Sequence, residues 1–384
     1  VTTDAALAFE TFHERVVGER LATPAGRAAV DDVAGAPSLA FRLPDGRAYR
    51  WTPTGDTIRI EKRDDAATVA LLDERAWSDF ATEAATAAGL RFAGRLHFHR
   101  GDAVGLERWE PALRAVLSGR PIFDPARATF VDRRGAPLDL HGSYDLATRD
   151  ADLRHFIGQT GYLHLRRVFS RDEIARLTAL VEARQAAARP GDGRSWWGKR
   201  QDGTQVLCRL IYLGLDVPEI AALGNDPRLV RLGALTGGGL RHLVDRSDAH
   251  SVVIKNPGVV EGLSDLPWHR DCGLGGHPFT CPSISIGIQL DAASAASGRL
   301  HFVPGSWRGS WHRSDLARAT TVAVDTEPGD CTVHLGDVLH AAPPPIGDGP
   351  GRRALYTTFV PPQLFDVIPP GQSYNDVILT HVGR

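Results

Sequence analysis

Leu266-Pro-Trp-His-Arg-Asp-Cys272, with Ser283-Ile-Ser-Ile-Gly-Ile-Gln-Leu290 a few residues later, is the stretch on which the fold reading turns. The second run alternates strictly. Ile284, Ile286, Ile288 and Leu290 share one face and Ser285, Gly287 and Gln289 the other, which is the period of a β-strand. In an extended chain residues i and i+2 also point the same way, so His269 and Asp271 present an imidazole and a carboxylate side by side. Trp268, Arg270 and Cys272 then point away, and Cys272 reads as a core residue. Beyond about residue 250 the chain is a series of short strands broken by Gly and Pro, the texture of a sandwich or barrel.

Working outward, the preceding region is mixed. Gly161-Tyr-Leu-His-Leu165 is a short strand, and Ser170 with Glu173 forms a capping box for a helix that buries Ile174, Leu177, Leu180 and Val181. Asp226-Pro227 opens another helix with proline in its first position. Residues 118 to 150 carry Pro121, Pro125 and Pro137 among Gly and Asp, which predicts a boundary. We therefore expect a small α/β domain over 1–122, a linker over 123–150 and a second domain over 151–384. The first domain reads as a helix around Leu7 to Val17, a hairpin turning at Asp45-Gly46, and strands near 57–61 and 67–72. A helix over 74–88, a strand over 95–99 and a closing helix over 106–117 complete it.

The chain has 384 residues, 42% hydrophobic and 23% charged, with 44 basic against 46 acidic residues. That balance removes the electrostatic footprint of a nucleic-acid or anionic-membrane binder and leaves a small molecule as the expected partner. No segment reaches 18 apolar residues and the opening residues show no basic region followed by an apolar one, so no membrane span and a cytoplasmic location are expected. Cys208, Cys272, Cys281 and Cys331 form no CxxC pair, which argues against a thiolate zinc site or a disulfide framework.

An imidazole and a carboxylate on one strand need only one more imidazole to complete the two-histidine, one-carboxylate set that holds non-haem Fe(II). His340 is the candidate. An HxD tripeptide arises easily by chance in a chain with 15 histidines, so the context must carry the reading.

That context is an ordered series: Thr160-Gly-Tyr-Leu-His-Leu-Arg-Arg-Val-Phe-Ser170, Trp268-His-Arg-Asp271, Ser297-Gly-Arg-Leu-His-Phe-Val-Pro-Gly-Ser306, Glu327-Pro-Gly-Asp330, Leu339-His-Ala341 and Gly351-Arg-Arg-Ala-Leu355. Together these resemble the phytanoyl-CoA dioxygenase family of Fe(II)- and 2-oxoglutarate-dependent oxygenases over roughly 152–362. The resemblance implies an α+β protein whose C-terminal domain is a double-stranded β-helix, or jelly-roll, with flanking helices. It implies His269, Asp271 and His340 as iron ligands, with 2-oxoglutarate and O2 as cosubstrates. The expected outcome is hydroxylation of a C–H bond of a small, lipid-like or natural-product substrate, with release of succinate and CO2. Related halogenases replace the carboxylate by a small residue, so Asp271 favours hydroxylation.

The resemblance also implies an arginine about a dozen residues past the distal histidine that forks onto the far carboxylate of 2-oxoglutarate. Arg352 and Arg353, twelve and thirteen residues past His340, both fit. Arg352 is preferred, because it shares a strand face with Ala354 and Tyr356, a better lining for a polar pocket than the Leu355 and Phe359 that share the face of Arg353. An arginine is wanted because its planar guanidinium matches a carboxylate as a lysine cannot. Lys255, where family members often carry a basic residue, and Gln289 join it as cofactor-binding candidates. For Lys255 the alternative is a solvated surface lysine; for Gln289 and Ser285 it is a strand face turned to solvent. His301 and His334 are set aside as packed strand histidines. Trp307 departs from the family's Pro-Gly-Ser-His.

The run from Phe41 to Leu117 resembles the sterol-carrier-protein fold, which implies an apolar ligand for the first domain; a structural or dimerising domain is the alternative. Two other readings of the whole chain stand beside the oxygenase: a non-catalytic apolar-ligand carrier or sensor on the same scaffold, and a zinc hydrolase using the same three ligands.

Overall fold

The computed structural model describes residues 7–242, 250–262, 265–271, 283–347 and 349–362. They fall into two compact units. The first takes the chain through Ala128 together with Arg308–Ala319, and the second takes most of the remainder, so one loop of the later sequence belongs to the first unit.

The first unit is built on a sheet of β1 (Leu39–Arg42), β2 (Ala48–Pro53), β3 (Ile58–Glu61), β4 (Thr68–Leu72) and β5 (Leu96–Arg100), in the order β3-β2-β1-β4-β5. Only β1 and β4 run parallel. The β1–β2 hairpin closes where Leu43 bonds Arg47, leaving a three-residue loop instead of the two-residue turn expected; Gly46 takes φ +94° there, a conformation glycine adopts freely. The helix expected over 74–88 is two helices, Glu74–Ala81 and Ala87–Phe92. Glu83 takes φ +58° between them, and Thr86 caps the second helix by accepting from Gly89 N. The closing helix also divides, into Ala103–Glu107 and Glu110–Ser118, because Pro111 has no N–H to continue the first and suits the opening turn of the second. Phe12, Phe41, Trp51, Trp77 and Trp109 fill the core, and the indole N–H groups of Trp77 and Trp109 donate to Leu7 O and Pro37 O, both at 2.8 Å.

The second unit carries β6 (Tyr162–Leu165), β7 (Ser195–Arg200), β8 (Gln205–Leu210), β9 (Arg241–His242), β10 (His250–Lys255), β11 (Val259–Glu261), β12 (Leu266–His269), β13 (Ile284–Gln289), β14 (Leu300–Phe302), β15 (Val322–Val324), β16 (Cys331–Leu335), β17 (His340–Ala342) and β18 (Arg352–Val360). Among the described residues these form two antiparallel sheets. The larger runs β11-β7-β8-β10-β18-β13-β16-β6, with β9 added to β18, and the smaller runs β12-β17-β14-β15. Helix Arg171–Ala187 starts at the expected capping box, both halves formed, and helix Pro227–Gly233 starts at Asp226, which accepts from Arg228 N at 2.9 Å.

The alternation of 283–290 has a two-sided outcome. Ile284, Ile286 and Ile288 are fully buried in a core shared with Val252, Ile254, Val333, Leu355 and Phe359, beneath Leu177 and Val181 of one helix and Leu229 and Leu232 of another. Ser285, Gly287 and Gln289 are turned to the opposite face and are buried there as well, Ser285 against Asp271, Gly287 against Tyr356 and Gln289 against Thr332. The solvent-facing alternative for Ser285 and Gln289 is thereby removed.

No helix among the described residues is long and apolar enough to cross a membrane. Cys208 and Cys331 are buried free thiols, while Cys272 and Cys281 lie outside the described residues.

Candidate metal centre

The smaller sheet sets the first two ligand candidates opposite one another. His269 at the end of β12 pairs directly with His340 at the start of β17, and their ring centroids are 4.3 Å apart. β12 stops at His269, so Asp271 stands in a bend past the strand and its place is not given by strand alternation. Even so, Asp271 Oδ1 lies 3.6 Å from Nε2 of each histidine, and one donor atom from each of the three residues falls within 4.8 Å of the others.

The tautomers are arranged for coordination. His269 Nδ1 donates to Pro267 O at 2.7 Å and His340 Nδ1 donates to Val338 O at 3.0 Å. A proton held on Nδ1 leaves the Nε2 lone pair free, and it is the Nε2 atoms that converge on Asp271. Burial pushes the His340 imidazole down to about 3, helped by His269 beside it, so the ring is neutral and able to ligate at physiological pH. Burial acts to raise the Asp271 carboxyl, but His340, His269 and His334 together hold it well below the usual carboxylate range.

The larger sheet supplies the other wall. Asp271 Oδ2 accepts from Ser285 Oγ on β13 and from His334 Nε2 on β16, each at 3.1 Å. Tyr356 on β18 has its phenol pushed up by burial and bonds Arg352. Its ring crosses Gly287, where a Cβ would stand 2.8 Å from Tyr356 Cε1 and from Thr332 Oγ1. Gln289 is buried, donating to Gly287 O at 3.1 Å and Thr332 Oγ1 at 3.3 Å.

The two arginines separate cleanly. Arg353 turns outward, forking onto Asp291 at 2.8 and 3.0 Å and reaching Glu182 at 3.0 Å. Arg352 is 2% exposed; its Nε donates to Gly298 O at 2.9 Å and its Nη1 is buried with no partner. Lys255 faces it across β10 and β18, fully buried, donating to Ala342 O, and burial followed by the nearby Arg352 brings its ammonium down to about 7. The surface-lysine alternative does not hold.

His301 sits on β14 near Trp268 and is not among the three converging donors. His334, set aside as a strand histidine, stands beside the site as a partner of Asp271; its pairing with Ser285 across β13 and β16 depends on a register no local pattern reports. Ser306 was likewise not singled out. Buried at the end of the Pro-Gly-Ser motif, it accepts from Leu339 N through its hydroxyl at 2.8 Å and from Arg270 Nη2 through its carbonyl at 3.0 Å, tying the neighbours of His340 and His269 together.

Two imidazoles and one carboxylate converge here on a scaffold of antiparallel sheets, and together they could hold a metal ion. The chain belongs to the phytanoyl-CoA dioxygenase family, whose profile matches residues 157–354, more than half of the sequence. No curated protein matches it. Among solved structures, EvdMO1 is 25% identical with a TM-score of 0.47, the match covering 56% of this chain and 50% of EvdMO1; this chain thus spans half of that relative's length. AviO1 from Streptomyces viridochromogenes Tue57 is 25% identical with a TM-score of 0.46, over 58% of this chain and 97% of AviO1. EctD from S. alaskensis, solved with 2-oxoglutarate and 5-hydroxyectoine, is 20% identical with a TM-score of 0.45, over 63% of this chain and 86% of EctD.

Proposed function

We propose that the chain is an Fe(II)- and 2-oxoglutarate-dependent dioxygenase that hydroxylates a C–H bond of a small substrate. The observation that carries the reading is the convergence of His269 Nε2, His340 Nε2 and Asp271 Oδ1 with both imidazole Nδ1 atoms tied to backbone carbonyls. Membership of the phytanoyl-CoA dioxygenase family and the pair of antiparallel sheets, in keeping with a jelly-roll, support it.

Fe(II), 2-oxoglutarate and O2 together supply the oxidising power: substrate R–H, O2 and 2-oxoglutarate become R–OH, succinate and CO2. The rest is work for this chain. His269, Asp271 and His340 would hold the metal, and three protein donors would leave room on it for 2-oxoglutarate and O2. Arg352, whose buried Nη1 lacks an acceptor, binds the distal carboxylate of 2-oxoglutarate in the bidentate manner a guanidinium allows. Lys255 adds a second buried basic group to the same wall, one that an anionic ligand would keep protonated, and Tyr356 steadies the Arg352 fork. Gln289 shapes the polar face of β13 and, through Thr332, keeps that face rigid. Burial of these groups excludes water, which strengthens each of their charge contacts.

Anaerobic addition of Fe(II) and 2-oxoglutarate to the full chain tests this without a substrate. A visible charge-transfer band that requires both additions is expected, followed by O2-dependent succinate formation. Absence of both band and succinate would leave the carrier reading in its place, and hydrolytic activity with zinc would favour the hydrolase.

A further inference from the structure

We infer that His334 and Ser285 are positioning residues that hold Asp271 end-on, presenting Oδ1 alone to the metal. The inference rests on the oxygenase reading and assigns roles to two residues outside the ligand set.

The need for such a device follows from where Asp271 stands. β12 ends at His269, so no ladder hydrogen bond of that strand sets the direction of the Asp271 side chain. A free carboxylate binds a metal through one oxygen or both. Two histidines and one carboxylate would leave positions on the metal open for other ligands, and a second bond from Asp271 would take one of them.

The larger sheet removes that freedom. Ser285 and His334 are directly paired residues on β13 and β16, and both donate to the same oxygen, Oδ2, at 3.1 Å. Two donors on Oδ2 occupy its lone pairs and turn Oδ1 towards His269 and His340, each 3.6 Å away. Both side chains are fixed in turn. Ser285 is 7% exposed on a central strand, and the His334 ring, 2% exposed, packs 4.5 Å from His340 and 5.7 Å from Phe302. His334 Nδ1, on the far side of the ring from Asp271, is buried without a partner. That orphaned nitrogen is a cost a purely packed residue would not need, since phenylalanine would fill the same space without it.

The test compares His334→Phe, which keeps the ring and removes the donor, with His334→Gln, whose amide can still reach Oδ2, and with Ser285→Ala, which deletes one atom. In anaerobic titrations of the full chain, His334→Phe should raise the Fe(II) dissociation constant at least about tenfold and weaken or shift the Fe(II)–2-oxoglutarate band, since partners of ligating groups act at this level. Its KM for O2 in succinate formation should rise as well. Ser285→Ala should move the same quantities in the same direction by less, and His334→Gln should restore most of the loss. Wild-type iron affinity, band and KM for O2 in His334→Phe would overturn the inference. Should His334→Phe fail to fold, unchanged values in Ser285→Ala would do so. A wild-type chain that shows no band at all would count against the oxygenase reading itself, whereas a normal wild-type band with indifferent variants would count against this inference alone.

Discussion

Lys255 and Arg352 are directly paired across β10 and β18, two buried basic side chains side by side within one sheet. Burial and mutual repulsion both disfavour such a pair, so the arrangement suits an anionic ligand that neutralises it. Arg352→Lys keeps the charge and loses the fork. The 2-oxoglutarate concentration needed for half-maximal band intensity should rise roughly ten- to a hundredfold, the range for a lost charge-assisted hydrogen bond. Arg353→Lys, which touches only Asp291, Glu182 and Gln185 on the outer face, should change it less than about threefold.

Replacing any of the three converging donors should remove iron binding without unfolding the chain. His269→Ala, Asp271→Ala and His340→Ala are each expected to abolish the charge-transfer band and O2-dependent succinate formation, with circular dichroism close to wild type. Full activity in a folded His340→Ala protein would show the distal ligand to be misassigned, and His334 would be the next candidate.

Gly287 is where the Tyr356 and Thr332 side chains need the space a methyl group would fill. Gly287→Ala would put its Cβ 2.8 Å from Tyr356 Cε1 and Thr332 Oγ1, forcing the Tyr356 ring off Arg352. A loss of about 1–3 kcal/mol in urea denaturation is expected, together with weaker 2-oxoglutarate binding and a smaller effect on iron affinity. Equal loss of both affinities would mean that the ring supports the metal and not the arginine.

The first unit should weaken in mild acid through one buried ring. His13 donates from Nδ1 to Phe9 O at 2.6 Å and lies among Phe9, Tyr49 and Trp77 at 4.7, 4.5 and 4.8 Å. Burial brings its imidazole down to about 4 from an ordinary 6.5, so the unfolded chain takes up this proton before the folded one does. The contribution is fully present above pH 6.5 and is lost as pH falls towards 4, about 3 kcal/mol in all. Urea denaturation of the full chain from pH 7.5 to 4.5 should show most of that decline, and His13→Phe should remove the part that this ring contributes.

Local pattern carried much of the reading wherever the deciding interaction spans a few residues. The capping box at Ser170 and Glu173, the Asp226-Pro227 helix start and the alternation of 283–290 are contacts between near neighbours, and each forms as its spacing implies. Where local signals competed, the expectation slipped. The helices near 74–92 and 103–118 each break in two, at a capping threonine and at a proline, because an apolar stripe can continue in register across a gap that backbone hydrogen bonding does not bridge.

The sequence by itself determined which residue types were on offer: an HxD pair, a distant histidine and two adjacent arginines inside a recognisable order of motifs. Only the tertiary structure showed where the two arginines lie: strand register turns Arg352 inward beside Lys255 and Tyr356 and Arg353 outward onto Asp291. The same holds for Ser285 and His334 on Asp271. Residues 14 and 63 positions away meet one carboxylate oxygen because β13 and β16 pair and the two sheets bring their polar faces to it. Alternation along a strand says which residues share a face, but which faces meet is set by long-range strand pairing, and no short window of sequence contains that information.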